Sequence, residues 1–258
     1  MLLAGKQLLV TGVLTEQSIA TAVVRVAREQ GAEVLLTSPV CRGMGVTRRV
    51  AARLGVKADV LELDVTLPED LAGLEPAVRA AGWDRVDGVL HAIGYLPTED
   101  LPSFAATPWD LVAPVLQTGA WSLAALVQAL RPLLVGGSSV VTLSQDGSRA
   151  WPAQDWLGVA QGALESTARS LARDLGPEGV RVNVVACGPQ DTLLVRALGD
   201  RTRLLADWDA RAPLGWDPAD RSAVARAVVA LLSDWLPATT GSVVHVDGGA
   251  HAVGVAGG

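Results

Sequence analysis

The sequence predicts an α/β fold, a doubly wound domain whose seven-stranded parallel sheet carries helices on both faces. Two observations lead there. Short, almost uninterrupted apolar runs recur along the chain, as expected of parallel strands buried on both sides. Longer segments between them repeat apolar residues at the spacing of one helix face. The chain has 258 residues, 50% of them hydrophobic and 19% charged, enough to bury a full core and too apolar for intrinsic disorder.

The expected strands are residues 7–10, 33–37, 60–64, 88–91, 139–143, 181–186 and 242–246. Between them, Ile19, Val23, Val26 and Ala27 mark one crossover helix, and Val159, Ala163, Leu164, Ala168 and Leu171 another. No Pro/Gly/Ser-rich linker, internal repeat or low-complexity tract interrupts this alternation, so a single domain over residues 1–258 is expected. The eight Trp are mostly scattered singly, which favours core or interface packing; only Trp151 and Trp156 fall in a segment with a functional reading.

Charge and cysteine usage remove several function classes. With 21 basic against 27 acidic residues, a net charge of -6 and no basic stripe, the chain offers a nucleic acid little to hold. Arg, Glu, Asp or Gln interrupts each apolar run before the length of a membrane span, so no span is expected. The opening residues lack a charged-then-apolar leader, and a cytoplasmic protein is expected. Cys41 and Cys187 are far apart and read as small buried or half-buried side chains. His91, His245 and His251 have no metal-ligand spacing, so no metal site is predicted.

The first strand ends in Val10-Thr11-Gly12, and Ser18-Ile19-Ala20 opens the next helix. A Gly permits the tight turn, a hydroxyl can bond a phosphate, and the helix N-terminus presents N–H groups and the positive end of its dipole. At the first βα turn of a Rossmann-type domain this is a pyrophosphate cradle. The loop after the second strand, Thr37-Ser38-Pro39-Val40-Cys41-Arg42, has no acidic residue for a ribose 2′-hydroxyl, and Arg42 keeps NADP open beside NAD. Leu63-Asp64-Val65 and His91-Ala92-Ile93-Gly94 lie at carboxyl ends of strands, where such folds bind ligands.

Thr11-Gly12 with Ser18-Ile19-Ala20, Leu63-Asp64-Val65, His91-Ala92-Ile93-Gly94, Ser148-Arg149-Ala150, Gly188-Pro189 and the segment from Asp234 to Gly241 together resemble the NADH-dependent enoyl-acyl-carrier-protein reductases. The nearest likeness is to the mycobacterial type, within the short-chain dehydrogenase/reductase superfamily. The resemblance implies a homotetramer that binds NADH along Gly12, Leu14, Ser18, Ile19, Asp64, Val65, Ala92, Ile93, Gly94, Gly188, Pro189 and Thr192. It also implies hydride transfer to the β-carbon of a trans-2-enoyl thioester, with a Tyr bonding the enolate oxygen and a Lys seven positions later holding the nicotinamide ribose.

This sequence departs at that dyad: the two positions are Gln154 and Gln161, and Gln145 stands where these reductases usually place an aromatic. A Gln amide donates and accepts hydrogen bonds but releases no proton and carries no charge. Gln161 is therefore expected to keep a hold on the ribose, and Gln154 to offer an N–H to a thioester carbonyl. Tyr95, the only Tyr, is a candidate replacement acid or an aromatic of the pocket wall. Ser144 has no evident His partner for nucleophilic work. The stretch from Thr192 to Trp208 matches the family's substrate-binding loop but is shorter than in the mycobacterial long-chain enzyme, which predicts an acyl group shorter or bulkier than a long fatty chain. Three functions stand: an NADH-dependent enoyl-thioester reductase with an altered proton route, a non-catalytic NADH-binding relative, and a catalyst of a non-redox step of specialised metabolism in the same pocket.

Overall fold

Seven parallel strands form one sheet in the order β3-β2-β1-β4-β5-β6-β7. They are β1 (Gln7–Val10), β2 (Glu33–Ser38), β3 (Leu61–Glu62), β4 (Val86–His91), β5 (Leu134–Ser144), β6 (Arg181–Cys187) and β7 (Val243–Val246). The computed structural model describes residues 1–39, 43–56, 59–97, 103–198 and 201–254. The order turns back between β1 and β4, whose carboxyl ends pair in register as Val10 against Leu90. A crevice at such a reversal is where doubly wound folds bind ligands.

The alternation inside each strand decides which layer it feeds. Leu8 and Val10 of β1 point into the layer that holds α1 (Ile19–Glu29), α2 (Met44–Arg53) and α9 (Ser222–Leu232), while Leu9 points to the opposite one. That second layer is built on α3 (Pro68–Ala80), α5 (Ser122–Leu130) and α6 (Asp155–Leu175). Both faces of the sheet are thus covered, which is why its strands read as continuous apolar runs.

All seven expected strands are present, two of them changed in length by more than two residues. Only Leu61–Glu62 of the third are in the sheet, because β3 is an edge strand paired through Thr37 and Ser38 of β2 alone. The fifth begins five residues earlier than expected, at Leu134. Gly137 takes a left-handed φ of 96°, and the ladder passes over an irregularity there, with Val86 against Leu134 and Gly88 against Ser139.

The stretch Trp109–Leu133 runs through α4 (Trp109–Leu116), a π-helical turn at Gln117–Trp121 and α5, and is long and apolar enough by length and composition to cross a membrane. Here it lies against the sheet, with Leu123, Leu126 and Leu130 wholly buried. Asp110, Gln117, Gln128 and Arg131 are spaced widely enough along it to leave the stretch apolar on average. Cys187 is buried as expected, and burial pushes its thiol up to about 12. Cys41 and Arg42 lie outside the described residues.

Candidate active site

The β1–α1 turn is fixed from three sides. Gly12 takes a left-handed φ of 81°, and a Cβ there would collide with the carbonyl oxygen of Ala92, so the turn depends on Gly for both conformation and close approach. Thr11 Oγ1 donates to Leu90 O and accepts from Ala92 N–H, each at 3.0 Å, tying the tips of β1 and β4 together. Ser18 Oγ accepts from the N–H groups of Leu14 (3.3 Å) and Thr15 (3.0 Å). The first turn of α1, beginning at Ile19, holds no acidic side chain. A free helix N-terminus without a carboxylate, behind a Gly that presses on the next strand, suits an anionic pyrophosphate.

Further along the strand tips, Val65 is buried and Asp64 is half-buried, its Oδ1 accepting from Thr66 N–H at 2.9 Å and Oγ1 at 2.6 Å. Ile93 and Tyr95 are half-buried, and Gly94 is exposed. His91 is wholly buried between the hydroxyls of Thr142 (2.8 Å) and Ser122 (2.9 Å), and desolvation lowers its pKa to about 4. It is a neutral, structural hydrogen-bonding group between β5 and α5.

The three glutamines meet. Gln154 caps the start of α6, and Gln161 lies two turns on along the same face. Gln161 Oε1 accepts from the backbone N–H of Gln145 at 3.3 Å, and Gln154 Nε2 donates to Gln145 Oε1 at 3.4 Å. Gln154 and Gln161 are 3% and 5% exposed, which leaves their amides in a medium where each unmet hydrogen bond is costly. Among the described residues, Gln154 Oε1 is a buried oxygen without a hydrogen-bond partner.

The loop that delivers Gln145 is held rigidly. Ser144 Oγ donates to Glu165 Oε1 at 2.7 Å, and the same oxygen accepts from Gly147 N–H at 2.8 Å. A Cβ on Gly147 would run into the backbone of Gly162, so the loop lies directly on α6. Burial pushes the Asp146 carboxyl up, but hydrogen bonds from Ser148 and Trp151 and the neighbouring His245 outweigh it and hold the group below its usual range. Asp146, Ala153 and Asp155 all adopt left-handed φ values, at 63°, 61° and 37°, so Gln154 sits between two strained residues.

Over the strand tips lies a lid of two short helices, α7 (Leu193–Arg196) and α8 (Arg201–Arg211). Thr192 caps α7, accepting from Val195 N–H at 3.5 Å. Leu194 reaches within 3.1 Å of where a Gly94 Cβ would stand. Trp208 stacks on Trp151 with ring centroids 4.5 Å apart, and Arg211 lies 4.8 Å above Trp151. Gly188 and Pro189 are buried under the lid side: Trp208 and Trp216 press on Gly188, and Trp216 Nε1 donates to Pro189 O at 2.8 Å. At the lid's root, the Asp191 carboxylate takes Arg196 Nε (3.0 Å) and Nη2 (2.7 Å) together with Arg201 Nη2 (3.0 Å).

The structure therefore gathers Gln145, Gln154 and Gln161 into one cluster and joins Gly12 to Ala92. It adds Glu165, Asp146 and Asp191, and it brings Trp151 into contact with Trp208, a pairing the sequence does not show. A signal existed for Glu165 alone, since it follows Gln161 by four on one helix face.

Residues 12–251 match the family model described as Enoyl-(Acyl carrier protein) reductase. The chain belongs to that family. It is 43% identical over 264 aligned residues to the enoyl-acyl-carrier-protein reductase (NADH) of Mycolicibacterium smegmatis, covering 96% of this chain and 97% of the relative. The Mycobacterium avium enzyme of the same name is 44% identical with the same coverage, and that of Escherichia coli is 34% identical over 96% of this chain and 94% of its own. The expected family and the expected fold are both borne out.

Proposed function

We propose that this chain is an NADH-dependent enoyl-thioester reductase working through amides. The observation that carries the reading is the convergence of Gln154 and Gln161 on Gln145 just past the carboxyl end of β5, in a chain of the reductase family. The residues present suit a dinucleotide. Gly12, Leu14, Ser18 and Ile19 would face the pyrophosphate; Asp64 and Val65 the adenine side; Ala92, Ile93, Gly94, Gly188, Pro189 and Thr192 the nicotinamide half. The orphaned Gln154 Oε1 and the amide of Gln161 suit ribose hydroxyls.

When bound, NADH supplies a hydride to the β-carbon of the enoyl thioester. The displaced π electrons then gather on the thioester oxygen. Gln154 spends one N–H on Gln145 and keeps the second for that oxygen. An oxyanion donor of this kind is worth about 10²–10³ in rate. Neither Gln releases a proton, so the α-carbon takes its proton from water or from Tyr95. The acyl group arrives on acyl carrier protein or coenzyme A. We read residues 1–258 as one cytoplasmic domain that assembles as a homotetramer, with the exposed Trp109 and Trp121 on its contact face.

A second reading has its own observation. Trp208 and Trp216 cover Gly188, as they would in a relative that has given up the nicotinamide half of the site, whether to bind without turnover or to catalyse a non-redox step. One experiment separates them: NADH titration paired with an absorbance assay of NADH oxidation on crotonyl thioester, for the wild type and for Gln154→Tyr/Gln161→Lys. Slow oxidation by the wild type, quickened by the double substitution, supports the reductase. Activity that exists only in the double variant, or no NADH binding at all, overturns it.

A further inference from the structure

Gln154 and Trp151 occupy one turn of chain, since Gln154 N–H donates to Trp151 O at 3.4 Å, but their side chains part. The amide of Gln154 goes to Gln145 on the β5 side, whereas the indole of Trp151 goes under the lid. There it joins a dry cluster of Trp151, Leu157, Val195, Leu198, Leu204 and Trp208. Leu157, Val195 and Trp208 are 1%, 0% and 2% exposed, so the apolar space next to the amides is filled by the protein's own side chains. Interiors packed this way leave little slack for an added chain.

Trp151 is also held in place. Its Nε1 donates to the buried Asp146 Oδ2 at 3.2 Å, Trp208 stacks on one side, and the Arg211 guanidinium covers the ring at 4.8 Å. Three partners of different kinds, hydrogen bond, aromatic stack and cation–π contact, fix the indole as a wall and not as a swinging gate.

We infer that Trp151 sets the length of the acyl group: the site takes short enoyl thioesters of the crotonyl class and excludes long ones. The inference rests on the reading of Gln154 as the group that meets the thioester oxygen. Trp151 precedes Gln154 by three residues and is the member of the lid cluster bonded into that turn, so an alkyl tail that enters the cluster from the thioester meets its indole. A tail of several further carbons requires the indole to leave both Trp208 and Asp146.

The test compares crotonyl, octenoyl and dodecenoyl coenzyme A on the wild type, Trp151→Met and Trp151→Ala. Two readouts are taken, NADH oxidation and thermal shift with the unreactive butyryl and lauroyl coenzyme A. Trp151→Met keeps an apolar side chain and guards against a collapse of the lid in Trp151→Ala. The wild type is expected to favour crotonyl, and the dodecenoyl-to-crotonyl ratio of kcat/KM to rise at least about tenfold in Trp151→Met and further in Trp151→Ala. A wild type that favours dodecenoyl, or a ratio unmoved in a folded Trp151→Met, overturns the assignment while crotonyl turnover leaves the reductase reading standing. If no thioester of either length is bound or turned over by any of the three proteins, the reductase reading falls and takes this one with it.

Discussion

The hydroxyl of Ser144 donates to Oε1 of Glu165 at 2.7 Å, and both side chains are buried at the seam between β5 and α6. Glu165 also accepts from Gly147 N–H, so one carboxylate fixes the whole loop that carries Gln145. Glu165→Ala leaves two buried donors unmet, and we expect a loss of about 1–3 kcal/mol in urea unfolding. Glu165→Gln keeps an acceptor and should recover most of it. Equal stability of the Ala variant and the wild type would show that the loop is held by other means.

His91 gives a stability signature in mildly acid solution. Its folded-state pKa lies at about 4, below the ordinary 6.5, because burial disfavours the charged ring. Between those values the unfolded chain binds the extra proton, so stability is complete above pH 6.5 and declines as pH falls toward 4. The contribution approaches ~1.4 kcal/mol per pH unit within the window. Denaturant titrations from pH 4.5 to 7.5 should show a shallower decline in His91→Asn than in the wild type.

Asp191 latches the lid. Its carboxyl is held below the usual range, first by the hydrogen bonds from Arg196 and further by the charges of Arg196, Arg201 and Arg221, so the latch stays charged in mild acid and is lost only as pH falls through that depressed value. Arg221 Nη2 donates to Asp191 O at 2.8 Å, tying the latch to the start of α9. In Asp191→Asn, hydrogen exchange should quicken in α7 and α8 while β6 is unchanged, and high salt should bring the wild type toward the variant. Unaltered exchange in the lid would remove Asp191 from this role.

Two glycines should respond oppositely to alanine. Gly147→Ala forces a methyl into the backbone of Gly162 and is expected to cost about 1–3 kcal/mol. Gly73 stands inside α3 with nothing within 4 Å of a new Cβ, and Gly73→Ala should stabilise by about 1 kcal/mol through helix propensity. Thermal unfolding of the pair checks both signs at once.

Trp109 and Trp121 are 70% and 50% exposed on one helical stretch, more than a monomer needs to leave in water. Trp121→Glu should break the proposed tetramer into smaller species. Sedimentation velocity reads this directly, and a wild type that sediments as a monomer ends the proposal.

What the sequence made legible was whatever repeats locally. The strands of the doubly wound sheet follow from apolar runs, and the meeting of Gln154 with Gln161 follows from seven residues on a helix. The Gly12 turn follows from its place between strand and helix. The ends of β3 and β5 did not, because an edge position and a glycine pair act through pairing with a neighbour. Nor did Asp146 with His245 on β7, or Trp151 with Trp208, since these partners are 99 and 57 residues apart and meet only through the fold. The Arg42 question stays with the sequence, as that residue lies outside the described ones.

The left-handed backbone at Ala153 and Asp155 bears on how far Gln154 can be trusted to hold its aim. Each costs of order 1–3 kcal/mol, and it is the packing of the neighbouring loop and lid that sustains the expense. A glycine in place of Ala153 would relax that tension and raise heat resistance, yet it would also widen the arc through which the amide swings. Sturdiness and accuracy therefore pull against each other at this single peptide, and a variant chosen for endurance alone should emerge with a blunter catalyst.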